Sequence, residues 1–72
     1  MLDMPEPEAV ACNLPPAARA ALRMAIPCFD GYVLHPDLIG DLQERGLVEV
    51  RSCYLGAFGI AVRKVIIERQ MP

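Results

Sequence analysis

Several features that would point to a membrane or secreted protein are missing from this sequence. Its 72 residues include no tryptophan and one histidine. No apolar run approaches the roughly 20 residues that a membrane-spanning helix needs. The first residues, Met1 to Glu6, are acidic and broken by a proline, unlike the basic and then apolar start of a secretory signal. We therefore expect one small, soluble, cytoplasmic domain, because a chain of this length holds no more than one.

The cysteine pattern does not indicate a disulfide framework. Cys12, Cys28 and Cys53 make an odd number and contain no C-x-x-C pair, which argues against a disulfide framework. Together with His35 they would supply the four ligands of a zinc site, but the ligands of structural zinc sites usually come in sequence-local pairs. We expect reduced thiols that pack as small apolar side chains, and neither a metal nor a cofactor.

Basic residues are few and concentrated towards the end of the chain. The formal net charge is −2, yet the stretch from Arg45 onward contains five basic and two acidic residues. Nucleic-acid affinity depends on neutralising several phosphates, and this excess of positive charge is small. The charge distribution permits DNA binding but does not favour it.

The beginning of the chain shows neither a helical nor a strand period. Residues 1–12 combine prolines with acidic and small residues, which predicts a flexible acidic tail ahead of a single domain over residues 13–72. Pro15 and Pro16 then suit the first turn of a helix, and residues 17–26 are strong helix formers. The expected buried face of this helix consists of Ala18, Leu22, Ala25 and Ile26.

The middle of the chain predicts a short strand followed by a second helix. Residues 28–34 are interpreted as a turn at Asp30–Gly31 followed by a short apolar strand, which we expect to pair with a later strand. Pro36 suits the start of the helix, and Gly46 suits the left-handed position just after its end. Gly40 inside this helix is expected to allow close packing.

The end of the chain reads as a β-hairpin. From Leu47 the apolar period becomes two, Gly56–Gly59 forms a plausible loop, and Ile60–Arg69 is rich in β-branched residues. The predicted fold class is α+β, with two helices packed on a small antiparallel sheet and a C-terminal β-hairpin. This arrangement is loosely similar to a winged helix.

One segment, residues 36–50, resembles part of the winged helix-turn-helix family. In that family a recognition helix ends in a glycine and continues through Leu-Val into the first wing strand, a pattern matched here by Leu38, Leu42, Gly46, Leu47 and Val48. The resemblance implies a wing tip at Leu55–Ile60. It also implies that Gln43 and Arg45 contact bases or phosphates.

Two departures from the family pattern weigh against DNA reading by this helix. The family places two helices between the first helix and the wing, whereas this sequence has room for one. The same helix carries Asp37, Asp41 and Glu44, whose carboxylates repel phosphates. DNA binding therefore stays an alternative, with these nucleic-acid candidates: Gln43, Arg45, Arg51, Arg63 and Lys64.

The sequence contains no catalytic motif. Cys28, His35 and Asp37 are close enough in sequence to be considered as nucleophile, base and orienting group, but nothing predicts a fixed geometry for them. We expect His35 to cap a helix and Cys28 to pack. No residue is assigned a catalytic role, and the protein is not expected to be an enzyme.

An excess of apolar side chains favours a protein-binding function. Phe29, Tyr32, Tyr54 and Phe58, together with the Val65–Ile67 run, exceed what one two-helix layer can cover, and such surface usually marks an interface. We expect a small regulatory protein, an adaptor or a phage-type inhibitor, that occupies a surface of a protein partner. The unprotected edge of the last strand, Ile60–Ile67, further predicts a homodimer. The expected interface residues are Phe58, Ile60, Val62, Val65, Ile66 and Ile67.

Overall fold

Helices and a small antiparallel sheet make up the fold. The computed structural model describes residues 6–72. The elements in chain order are α1 (Pro7–Asn13), α2 (Pro16–Arg23), β1 (Ile26–Cys28), β2 (Gly31–Val33), a 3-10 turn (Pro36–Leu38), α3 (Gly40–Glu44) and α4 (Ala57–Glu68). This composition confirms the α+β class. Among these residues no helix is both long and apolar enough to cross a membrane.

One hydrophobic core joins the elements, and α4 lies at its centre. Val62 and Ile66, one helical turn apart, are fully buried, and the helix packs against both α1 and α2. The remaining buried side chains come from every part of the described chain: Ala11, Leu14, Ala18, Ala21, Leu22, Ala25, Leu34, Leu42, Leu47, Val48 and Leu55.

The predicted flexible tail is wrong from residue 7 onward. Pro7 occupies the first turn of α1, where its missing N–H leaves no hydrogen bond unmade. Ala11 is fully buried, and Glu8 forms an ion pair of 2.8 Å with Arg69 just after α4. These contacts attach α1 to the rest of the fold. The part of the predicted tail at residues 1–5 lies outside the described residues.

The predicted first helix is confirmed as α2, although it ends earlier than expected. Pro16 occupies its first turn, and Ala18, Leu22 and Ala25 are buried as predicted. Ile26 is 63% exposed, because the chain has already left the helix and entered β1. Pro27 therefore lies inside β1 and is not the residue that ends the helix.

The predicted C-terminal hairpin is wrong, since residues 57–68 form α4. The β-branched residues favour a strand locally, but the buried residues Gly59, Val62 and Ile66 follow the i, i+3, i+7 spacing of a helix. Lys64, which would share a face with Val62 and Ile66 in a strand, is exposed. The helix ends in a left-handed residue, Gln70, with φ 51°, and the Met71 N–H donates to the Ile66 carbonyl oxygen at 3.0 Å. The wing tip that the resemblance implied at residues 55–60 is replaced by the start of this helix.

The segment around Gly46 follows the sequence prediction closely. Gly46 has φ 78°, and the Leu47 N–H donates to the Leu42 carbonyl oxygen at 3.0 Å, which is the bond of a Schellman cap. Beyond it, the predicted strand forms only two isolated antiparallel bridges, Val48 with Leu55 and Tyr54 with Val33. The second bridge confirms that the first strand pairs with a later segment.

The second predicted helix is divided into the 3-10 turn and α3. The Nδ1 atom of His35 accepts a hydrogen bond of 3.2 Å from the Asp37 N–H, so His35 caps this turn as expected. Leu42 is buried on the inner side of α3. The expectation for Gly40 is wrong, because a Cβ atom at this position would have no neighbour within 4 Å.

Candidate protein-binding surface

The turn between β1 and β2 presents a large aromatic side chain to solvent. The strands pair Ile26 with Val33 and Cys28 with Gly31, so Phe29 and Asp30 form a two-residue turn. Phe29 has φ 55° and is 95% exposed. A positive φ at the first turn residue is the position that type II′ hairpins give to glycine, and it is an outlier for a bulky residue.

The two faces of the hairpin have different surroundings. Side chains alternate along strands, so Tyr32 lies on the opposite face from Val33 and Ile26. The guanidinium of Arg63, on α4, lies 4.1 Å from the centre of the Tyr32 ring, which identifies the Tyr32 face as the inner one. Tyr54 pairs with Val33 and extends the outer face.

We define the hairpin surface as this outer face together with the turn: Ile26, Cys28, Phe29, Val33 and Tyr54. None of these residues is buried, and Phe29 and Ile26 are the two most exposed large apolar side chains among them. Cys28, Val33 and Tyr54 are half-buried, so the solvent-exposed apolar area of this surface lies mainly at Ile26 and Phe29.

A hydrogen bond links the two polar side chains of this surface. The Cys28 thiol and the Tyr54 hydroxyl lie 3.4 Å apart. This hydrogen bond raises the pKa of Tyr54 above its usual value, with smaller contributions from desolvation and from the charge of the Cys28 thiolate. A tyrosine hydroxyl is already uncharged at neutral pH, and the raised pKa extends the uncharged state of Tyr54 to higher pH. A partner can therefore cover this hydroxyl without desolvating a charge.

The edges of the sheet are closed to pairing by another strand. On one side of β2, the Leu34 N–H donates to Cys53 and the Tyr32 carbonyl oxygen accepts from Leu55. On the free side of β1, Pro27 lies in the middle of the strand and has no N–H to donate. A partner would therefore contact this sheet through side chains rather than by adding a strand.

The predicted interface residues all lie on the helix α4 rather than on a strand and its loop. The prediction is wrong for Val62 and Ile66, because both are fully buried in the core. Phe58, Ile60 and Val65 are half-buried and pack against the core. Ile67 is 44% exposed. Since residues 60–67 are helical, the strand edge that predicted a homodimer does not exist.

Sequence reasoning missed the hairpin surface although its signals were present. Phe29 and Tyr54 belonged to the apolar excess, and Asp30–Gly31 indicated a turn. Periodicity cannot show which face of a short strand the helices will cover, so neither residue was chosen as a site. The structure supplies that information by packing α4 behind Tyr32.

Three of the five residues proposed for nucleic acid form contacts within the chain. Arg45 forms an ion pair of 2.8 Å with Asp41, and Gln43 donates to the Glu49 carbonyl oxygen at 3.0 Å. Arg63 donates through Nε to the Leu22 carbonyl oxygen at 3.1 Å. The other two cations are exposed but belong to different elements, Arg51 to the turn before Tyr54 and Lys64 to α4.

The residues considered for catalysis and for zinc are separated by the fold. His35 and Asp37 meet at the cap of the 3-10 turn, with Nδ1 and Oδ2 3.4 Å apart, while Cys28 contacts Tyr54. Cys12, Cys28 and Cys53 are free thiols. Within residues 6–72 no group of three or more histidine, cysteine, aspartate or glutamate side chains is placed to hold a metal ion.

Comparisons with known proteins identify no relative. No family model matches the sequence, and neither a curated protein nor a solved structure matches the chain. The surface itself therefore carries the functional argument.

Proposed function

We propose that this chain is a small non-enzymatic regulatory protein that occupies a surface of a protein partner, with the hairpin surface as the contact and Phe29 as its anchor. The observation that carries the proposal is the combination found at Phe29: a left-handed backbone and a phenyl ring that is 95% exposed. Neither feature stabilises the chain on its own. Strained residues that persist in a fold cluster at functional sites, and this one is held by the pairing of Cys28 with Gly31.

A protein partner accounts for the chemistry of the surface. Aromatic side chains are enriched in the cores of protein interfaces, where a few anchors supply most of the binding energy. The pairing of Cys28 with Gly31 fixes the backbone of the turn before binding, so little backbone entropy is lost on association. The surrounding residues, Ile26, Val33 and Tyr54, are apolar or uncharged, as the centre of an interface requires.

We also propose that the protein acts in a reducing compartment, and the cytoplasm fits best. Its three cysteines are free thiols, and disulfides form and persist in oxidising compartments. The thiol of Cys28 belongs to the hairpin surface and shares a hydrogen bond with the Tyr54 hydroxyl. Oxidation at this position would add bulk and polarity to the contact.

Affinity capture with two matched variants tests the proposal. Tagged wild-type protein, Phe29→Gly and Asp30→Gly are each incubated with lysate of the source cells, and captured proteins are identified by mass spectrometry. We expect a partner that wild type and Asp30→Gly retain and that Phe29→Gly loses. Equal capture by Phe29→Gly, with all three proteins folded by circular dichroism, would refute Phe29 as the anchor.

A further inference from the structure

A second face of the helix α4, beside its buried stripe, carries both apolar and charged side chains. Its buried stripe contains Gly59, Val62 and Ile66. The second face follows the helix for two turns, at positions i, i+3, i+4, i+7 and i+8 counted from Ile60, and forms one wall of a groove. Tyr32 on β2 forms the other wall. We call this the α4 groove, which has a volume of 340 Å³ and is lined by Tyr32, Ile60, Arg63, Lys64, Ile67 and Glu68.

Two neighbouring cations stand between the apolar ends of the groove. Ile60 and Ile67 are two turns apart, and Arg63 and Lys64 occupy the turn between them. The Arg63 guanidinium is fixed in place, since it lies over the Tyr32 ring and its Nε donates to Leu22. Within residues 6–72 Arg63 donates a hydrogen bond only through Nε, so the two terminal amino groups of its guanidinium are available to a carboxylate.

We propose that the α4 groove binds an acidic amphipathic segment of a protein. Apolar side chains of the segment contact Ile60 and Ile67, and its carboxylates meet Arg63 and Lys64. The complementarity of charge selects an acidic segment over a neutral or basic one, because desolvating these two cations without an anion is unfavourable. Glu68 at one end disfavours a carboxylate there and so orients the segment along the groove.

A second copy of this chain fits the groove poorly. Stable dimer interfaces use roughly 20–30 residues on each side, and six residues line the groove. A two-fold interface brings the same surface of each copy together, so a dimer centred on Lys64 would oppose like charges. A short segment of another protein fulfils the requirements of size and charge.

This inference rests on the proposed function only in that the ligand is a protein. Tyr32 lies on the face of the hairpin opposite to Val33 and Ile26, so the α4 groove is separate from the hairpin surface. A variant in one of these surfaces therefore leaves the other intact, and the two proposals can fail independently.

Selection from a phage-displayed library of random peptides, each about three helical turns long, tests the groove. We expect wild-type protein to enrich peptides that alternate apolar residues with aspartate or glutamate. In fluorescence polarisation, an enriched peptide should bind Lys64→Glu about tenfold more weakly, since an exposed ion pair is lost and a repulsion replaces it. The matched control Arg51→Glu makes the same charge change at an exposed residue outside the groove and should bind as wild type.

A second variant and a binding map complete the test. Ile67→Lys should also weaken binding, and amide chemical shifts should change at Tyr32, Ile60 and Ile67 when the peptide is added. Phe29→Gly should bind the peptide like wild type, which separates this result from the capture experiment. Enrichment of no peptide, enrichment of peptides without acidic residues, equal binding by Lys64→Glu, or shifts confined to the hairpin surface would each overturn the proposal.

Discussion

Replacing Phe29 by glycine should make the protein more stable while removing its binding anchor. A non-glycine residue in the left-handed region costs about 1–2 kcal/mol, and Phe29 has φ 55°. Glycine relieves this strain but makes the unfolded chain more flexible, which costs about 0.4–1 kcal/mol. The phenyl ring is 95% exposed, so its removal forfeits almost no buried area. The expected net effect is a stabilisation of roughly 0.5–1 kcal/mol.

Thermal unfolding followed by circular dichroism measures this effect. For a domain of this size, 1 kcal/mol shifts the melting temperature by about 4–8 °C, so we expect a rise of about 2–8 °C for Phe29→Gly. Asp30→Gly is the matched control. Asp30 is the adjacent turn residue and does not have a positive φ, so glycine there should lower the free energy of unfolding by about 0.4–1 kcal/mol.

The sign of the change in melting temperature tests whether the backbone at Phe29 is strained. A lower melting temperature for Phe29→Gly would show that the ring packs in the folded protein, and the strain argument would be refuted. A higher melting temperature with unchanged partner capture would leave the strain without a function in binding. Only greater stability combined with lost binding agrees with an anchor that is retained for its partner.

Three further perturbations test the fold and the chemistry of the hairpin surface. Gly59→Ala should destabilise the protein by about 1–3 kcal/mol or prevent folding, because the added methyl group would overlap the backbone carbonyl oxygen of Leu47. Gly40→Ala, which has open space around the added methyl group, should be neutral or stabilising by up to about 1 kcal/mol. Urea unfolding measures both changes. Ile66→Ala should lower the free energy of unfolding by about 2–5 kcal/mol, and a loss below 1 kcal/mol would contradict its burial in the core. Cys28→Ala should lower the pKa of Tyr54 towards its ordinary value in an ultraviolet titration of tyrosinate, and an unchanged pKa would exclude the hydrogen bond. Because the folded pKa of Tyr54 is raised, the associated stabilisation is present below a pH of about 10 and is lost as the pH rises through the folded pKa.

The sequence by itself determined the elements whose signals are local. Pro16 and the alanines that follow it specify α2, because proline in the first turn and good helix formers act within the helix. Gly46 specifies the end of α3 in the same way, since the bond from Leu47 to Leu42 closes within six residues. These predictions needed no knowledge of distant contacts. The α+β class was predicted from a helical period followed by a period of two and a C-terminal hairpin; the class is confirmed, but the sheet consists of β1 and β2 and the predicted hairpin is replaced by α4.

Tertiary packing alone decided the two ends of the chain. The seven residues of α1 are too few to form a stable helix in isolation, and α1 depends on the burial of Ala11 and on its packing against α4. The residues of α4 favour a strand by composition, but a helix buries Gly59, Val62 and Ile66 on one face and leaves Lys64 exposed.

The location of the hairpin surface was decided in the same way. Alternation along the strands places Tyr32 and Val33 on opposite faces but does not say which face becomes covered. Arg63 on α4 lies over Tyr32, so that face is inner, and on the opposite face Ile26 is exposed and Val33 is half-buried. The physical reason is that burial is a property of two surfaces in contact, and the second surface lies about thirty residues further along the chain.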